Sequence, residues 1–177
     1  YSNMLSVFKH NNITNSTGHH AYMDKSIKKA SIVIQNHSIN IRNKEYCKWI
    51  DDSYFLVAKS YYFKGQFLEA KKTFEYIIQK WKKTQLAYES ELWAAKCNIA
   101  LGNLNISENM LDKLQSNPRF PERLTKDLHL VFADLYMKQG VYLNAVDELR
   151  SASNIIGRKN KKSRIYYVIA QIYQDAG

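Results

Sequence analysis

Residues 58–65 read AKSYYFKG, residues 95–102 AKCNIALG, residues 133–140 ADLYMKQG and residues 170–177 AQIYQDAG. The alanines that open these stretches, Ala58, Ala95, Ala133 and Ala170, lie 37, 38 and 37 residues apart. The glycines that close them, Gly65, Gly102, Gly140 and Gly177, keep the same intervals. An internal period of this length means stacked helical hairpins, since a single unit cannot bury its own apolar face and must lean on its neighbours. Such a fold presents surface, and the expectation is a binding protein that carries no chemistry.

Alignment on the glycines predicts first helices over 51–64, 88–101, 126–139 and 163–176. The second helices are predicted over 67–82, 104–116 and 142–156. In the first unit Tyr54, Val57, Ala58 and Tyr61 recur at helical spacing and define a buried face. Gly65 closes the helix, as a residue tolerant of the left-handed C-cap should. Phe67, Ala70, Phe74 and Ile77 form the answering face, with Ala58 and Ala70 small where two helices approach. The third unit repeats this with Phe132, Ala133, Tyr136, Gly140, Tyr142, Ala145, Leu149 and Ala152. The second is looser: Ala94, Ala95, Asn98, Gly102, Leu104, Ser107, Leu111 and Leu114. The fourth offers Tyr166, Ile169, Ala170, Tyr173 and Gly177. Pro118 and Pro121 fall between units two and three, where proline would stop a helix. The expected core anchors are Tyr61, Phe74, Tyr136 and Leu149. A lone fourth helix would leave an apolar face uncovered, and the chain reads as an excerpt of a longer protein.

Residues 1–49 are less regular. Residues 9–20, KHNNITNSTGHH, read as a polar loop, and Met23, Ile27, Ala30 and Ile34 mark an amphipathic helix after it. The repeats themselves are expected at about 51–84, 88–121, 126–159 and 163–177, within a segment 50–177.

The 177 residues suffice for one core, and two prolines and six glycines favour helix throughout. Thirteen tyrosines suit a thin two-layer core, where a ring packs while its hydroxyl stays at the surface. The net charge of +10 is clustered: Lys25, Lys28 and Lys29; Lys80, Lys82 and Lys83; and Arg158, Lys159, Lys161, Lys162 and Arg164, the last with no acid among them. Such runs could meet phosphates, anionic lipid or an acidic partner, or be solvated helix ends. Cys47 and Cys97 make neither a disulfide framework nor a zinc pattern, and both are expected at buried helical positions.

These repeats resemble the tetratricopeptide family over residues 50–177: an early aromatic, small residues at the crossing, Tyr before Gly, then Ala and an aromatic on the second helix. The 37–38 residue period and Asn98 in place of Tyr depart from the family pattern of about 34 residues. The resemblance implies an all-α, right-handed α-solenoid of antiparallel helix pairs. A narrower likeness lies in MDKSIKKASIVIQNHSI (residues 23–39) and KEYCKWIDDSYFLVAKSYYFKGQFLEAKKTFEYI (residues 44–77). It is to the tetratricopeptide lipoproteins of gliding motility and type IX secretion in Bacteroidota, the PorW/SprE type. That likeness implies an outer-membrane lipoprotein facing the periplasm, anchored by a cysteine upstream of this chain. It implies a non-catalytic link between the secretion translocon and other components of the machine.

The family geometry places first-helix positions 2, 5, 9 and 12 along an inner groove. Position 5 supplies Phe55, Leu92, Leu130 and Tyr167, and position 12 supplies Tyr62, Ile99, Met137 and Gln174. Charges flank them at position 2 (Asp52, Glu89, Asp127, Arg164) and position 9 (Lys59, Lys96, Asp134, Gln171). An apolar strip with charged margins suits a peptide or helix, though the same strip could be core. A carboxylate clamp is not expected, because Phe55, Lys59 and Asp127 stand where clamp residues would.

Nothing converges into a nucleophile–base pair, phosphate loop or metal set, so no catalytic residue, cofactor or metal is expected. His10, His19 and His20 lie in the predicted loop, and Asp51-Asp52 opens a helix, where carboxylates suit the dipole. Alternative readings are an outer-membrane assembly lipoprotein, the repeat portion of a signalling protein, and a helical-repeat nucleic-acid binder. The acidic groove positions argue against the last.

Overall fold

The computed structural model describes residues 17–42, 44–157 and 159–176. The chain is all-α. Among the described residues the helices are α1 Thr17–His37, α2 Ile50–Phe63, α3 Phe67–Lys80, α4 Gln85–Ala100, α5 Leu104–Gln115, α6 Thr125–Gln139, α7 Tyr142–Ile155 and α8 Lys159–Ala176. Two short strands, β1 Asn40–Ile41 and β2 Lys44–Glu45, separate α1 from α2, and a 3-10 turn, Glu122–Leu124, precedes α6. The chain divides into two compact units between Leu101 and Gly102. In the first, α1 packs on α2, α2 on α3 and α3 on α4. In the second, α5 packs on α6, α6 on α7 and α7 on α8.

Glycine closes the first helix of each pair for a conformational reason. Gly65, Gly102 and Gly140 take φ of 77°, 81° and 78°, the left-handed region where an L side chain is strained. At Gly140 the N–H bonds the Met137 carbonyl at 3.3 Å while Val141 N–H reaches back to Tyr136 at 2.9 Å. Gly65 and Gln66 repeat this on Tyr62 and Tyr61, at 2.9 and 3.0 Å. These are the paired bonds of a Schellman turn, which satisfy carbonyls that the ended helix leaves open. Gly177 lies outside the described residues.

The small residues sit where helices cross. Ala58 and Ala70 are fully buried in the first unit, and Ala133 and Ala145 in the second; Ala95 of the first unit and Ser107 of the second are each fully buried as well. Phe74 and Leu149 are fully buried too, whereas Tyr61 and Tyr136 are only half-buried. The second unit's core joins Ala133, Val146, Leu149 and Ala152 to Ile156 and to Ile165, Val168, Ile169 and Ile172 of α8. The last four define the side of α8 that α7 covers. Ala170 and Tyr173, expected as core, are instead exposed, as is Tyr166; from α7 the Arg150 and Ser153 side chains reach the Tyr173 and Tyr166 hydroxyls without burying the rings.

Four further expectations need correction. Residues 17–20 of the predicted polar loop are helical, being the first turn of α1. Thr84, whose side chain accepts the Ala87 N–H at 3.2 Å, caps α4 and starts it at Gln85 rather than residue 88. Helix α8 begins at Lys159 rather than residue 163, so the third basic run opens a helix instead of filling a loop. Cys47 stands in the stretch between β2 and α2, half-buried, and only Cys97 is a buried helical cysteine.

The β1–β2 hairpin pairs Asn40 with Glu45 and Ile41 with Lys44, and Arg42 takes a φ of 51° in its turn. Glu45 ties it down. Its Oε1 accepts the Ile39 and Cys47 N–H groups at 2.8 and 3.0 Å, and its Oε2 accepts the Ser38 hydroxyl at 2.6 Å. Lys80 of α3 stands 3.9 Å from the same carboxylate. The Ser38 hydroxyl, then the two backbone donors and the Lys80 charge, hold the Glu45 carboxyl below its ordinary value.

Candidate interaction surfaces

In the first unit the expected groove positions gather around a residue that no repeat position singled out, Trp93. The Trp93 ring stacks on Phe74 of α3, with centroids 5.9 Å apart and planes 18° from parallel. Tyr62 and Phe63 of α2 meet Trp93 edge-on at 5.1 and 5.8 Å. Phe55, two turns back along α2, sets its edge against Phe74 at 5.7 Å. Edge-to-face and offset pairs at these separations match the quadrupoles of the rings.

Two cations lie over this cluster. The Lys59 ammonium stands 5.4 Å from the Phe55 centroid and 5.1 Å from that of Trp93, so it bridges α2 to α4. The Lys96 ammonium sits 4.3 Å over Trp93. Each such contact is worth about 0.5–1 kcal/mol at an open site. Lys59, Lys96, Phe55 and Trp93 are all half-buried, and Asp52 and Glu89 remain accessible on the same helices. The result is a face of aromatic rings and fixed lysines rather than an apolar strip.

The other groove positions in this unit are not surface. Tyr62, Leu92 and Ile99 are 2%, 2% and 3% exposed, which makes them core and removes them from any docking face. Periodicity could not have separated them from Phe55, because both sets share the same helical spacing. Only the covering by neighbouring helices distinguishes them.

The first unit holds a second aromatic cluster at the hairpin. Tyr54 and Tyr76 lie 4.8 Å apart, both within about 6 Å of Trp81. The Lys80 ammonium stands over Tyr76 and Trp81. Burial, then the hydrogen bond with Tyr76, pushes the Tyr54 hydroxyl to about 12. In α4, burial pushes the Cys97 thiol to about 12 as well, far from a reactive thiolate.

In the second unit Leu130 and Met137 are half-buried and pack against the core of α7 and α8. Asp134, expected at the groove margin, is 4% exposed and so belongs to the interior. Asp127 is half-buried beside Lys126 at 3.2 Å, and His129 Nδ1 meets Glu148 Oε2 at 2.6 Å, pinning α6 to α7. Gln139 donates to Glu108 at 2.9 Å and ties α6 to α5. Arg164 and Tyr167 are exposed, and Tyr167 accepts a bond from Gln171 at 3.2 Å.

Among the described residues no group of three or more His, Cys, Asp or Glu side chains could hold a metal ion. No described helix is long and apolar enough to cross a membrane. The chain matches no known family model, and no curated protein matches it significantly.

Proposed function

We propose that this chain is a non-catalytic scaffold, a tetratricopeptide-like α-solenoid whose helix pairs bind other proteins. The observation that carries the reading is the recurrence of one device. A left-handed glycine turn recurs at Gly65, Gly102 and Gly140, and a fully buried alanine recurs at Ala58, Ala95 and Ala133. A chain that repeats one packing unit extends a surface rather than converging on a pocket. The Lys59–Trp93–Lys96 face is the part of the first unit best suited to a partner, since half-exposed aromatics and a fixed charge are typical anchors.

From the resemblance over residues 23–77 we further propose the setting. The protein serves type IX secretion and gliding motility as an outer-membrane lipoprotein facing the periplasm, with the translocon and other machine components as partners. Its membrane link is a lipid anchor outside this chain. The test is crosslinking and affinity purification of the full-length protein from its native envelope. Recovery of secretion components, reduced by Lys59→Glu far beyond the small fall in melting temperature that the loss of its two cation–π contacts accounts for, is the expected result. Recovery of cytosolic partners alone would sink the placement.

A nucleic-acid reading draws on the +10 charge and on the basic run that opens α8. It predicts binding of generic RNA at physiological salt with a steep salt dependence. The accessible Asp52 and Glu89, on the same helices as Lys59 and Lys96, weigh against a phosphate-tracking channel.

A further inference from the structure

Four large apolar side chains that the fold leaves open to solvent fall within residues 39–49. Ile39, Ile41 and Tyr46 are 55%, 55% and 56% exposed, and Trp49 is 69% exposed. The register of the hairpin accounts for the first three. Asn40 pairs with Glu45 and Ile41 with Lys44, and the Tyr46 N–H donates to the Ile39 carbonyl at 3.0 Å, which extends the ladder by one pair. Side chains alternate along a strand, and directly opposed residues share a face. One face of the hairpin therefore carries Asn40 and Glu45, and the other carries Ile39, Ile41, Lys44 and Tyr46. The Glu45 face turns inward, its carboxylate held by Ser38, two backbone N–H groups and Lys80. The other face is open, with the Lys44 ammonium 5.2 Å over the Tyr46 ring. Every exposed charge within residues 39–49 is a cation: Arg42, Lys44 and Lys48. Lys82 and Lys83, also exposed, follow Trp81, whose ring lies 5.9 Å from Tyr54 near the start of α2 and so at the same end of the unit. The acids closest in sequence besides Glu45 are Asp51 and Asp52, in the first turn of α2.

We propose that the open face of this hairpin, together with Trp49, lays the first unit against an anionic lipid bilayer. Ile39, Ile41, Tyr46 and Trp49 enter the boundary between headgroups and acyl chains, and Arg42, Lys44 and Lys48 meet lipid phosphates. This is a peripheral contact that goes beyond the scaffold reading and acts beside a covalent anchor rather than in its place. The mixture of side chains identifies the occupant. Trp and Tyr rings favour the membrane–water boundary, and Lys and Arg lay their stems along apolar surface while their charges reach the headgroups. Exposed cations without an exposed acid among them complement an anionic leaflet. A protein partner fits less well, because the exposed area of the four apolar side chains is on the order of 500 Å², below the roughly 800 Å² that each partner of a stable complex buries. A nucleic acid fits less well too, since Ile39 and Ile41 offer neither charge nor a ring on which bases stack. The chain's own neighbouring segments meet the unit at its other end. Helix α1 has 21 residues and ends at the hairpin, so Thr17 lies about 30 Å away. Helix α4 has 16 residues and starts just after Trp81, so it leaves the unit about 24 Å from the same end.

The test is flotation of the whole chain with two kinds of vesicle, phosphatidylcholine mixed with phosphatidylglycerol and phosphatidylcholine alone. Binding to the anionic vesicles should be at least about tenfold tighter than to the neutral ones. It should bring a blue shift of tryptophan emission that the Trp49→Phe chain lacks. Lys44→Glu should weaken binding by about tenfold or more, and the pair Ile41→Ser with Trp49→Ser by a similar factor. Melting curves should stay close to that of the unaltered chain, since the replaced side chains are exposed and the Lys44–Tyr46 contact is a weak one. Lys162→Glu, an equal change of net charge placed in the second unit, should leave vesicle binding within about twofold, being remote from the contact. Absence of binding to anionic vesicles overturns the proposal. So does binding that Lys162→Glu weakens as much as Lys44→Glu, which would be attraction by net charge alone. Binding that survives loss of Ile41 and Trp49 overturns the insertion of the apolar face. Self-association or RNA binding that Ile41→Ser abolishes, in a chain that ignores vesicles, would give the face a different occupant and reject the bilayer. None of these failures touches the scaffold reading, whose own test is at Lys59.

Discussion

Replacement of Gly140 measures directly the turn on which the repeat depends. Its φ is 78°, and a Cβ built there would meet nothing within 4 Å. No steric term therefore enters, and the whole effect is conformational. An L side chain held in the left-handed region loses roughly 1–2 kcal/mol. Against this, alanine narrows the unfolded ensemble and returns about 0.4–1 kcal/mol. The net expectation for Gly140→Ala is a loss of about 1 kcal/mol. Gly140→Asn should lose less, because asparagine tolerates this region. Semisynthetic D-alanine keeps the entropic gain without the strain, and should stabilise by about 0.4–1 kcal/mol. Urea unfolding followed by far-ultraviolet circular dichroism would read these as shifts in midpoint at constant slope. Gly102 has the same φ class and the same open surroundings, so its series should match. If Gly140→Ala were neutral, or the D-residue destabilising, the left-handed cap would not be what ends these helices.

Three other outcomes follow from the same structure. Phe74→Ala should cost about 3–5 kcal/mol and Leu149→Ala about 2–5 kcal/mol, both being fully buried; hydrogen exchange should accelerate chiefly in α2–α4 for the first and α6–α8 for the second, and a uniform change over the chain would contradict local coupling. Glu45 has a folded carboxyl held below its ordinary 4.5, so the stability it contributes is present above that value and is lost as pH falls through the depressed one. Glu45→Gln should therefore flatten the acid limb of a stability–pH profile, and an unchanged limb would refute the hairpin anchor. With its thiol near 12 and its side chain buried, Cys97 should resist iodoacetamide at pH 8 until the chain unfolds, while half-buried Cys47 reacts in the native state. Equal native rates would contradict the packing around α4.

What the sequence determined by itself is local and periodic. Helix ends were legible because glycine at a left-handed turn and proline after a helix act through one residue's own torsions, with no distant partner needed. Ala58, Ala70, Ala133, Ala145, Phe74 and Leu149 were legible as core because helical spacing repeats them in register. Tertiary structure decided everything that depends on which element covers a face. Leu92 and Phe55 occupy equivalent positions, yet one is 2% exposed and the other lies half-open under Lys59. Ala170 matches Ala58 in sequence, yet it is exposed where Ala58 is fully buried. Trp93 became a centre only because α2, α3 and α4 bring Lys59, Phe74 and Lys96 to its ring from three stretches of chain. Strands of two residues are too short to show a period, so the Glu45 hairpin had no signal to read. Burial is a property of pairs of elements, and a period along one chain specifies the faces without specifying what meets them.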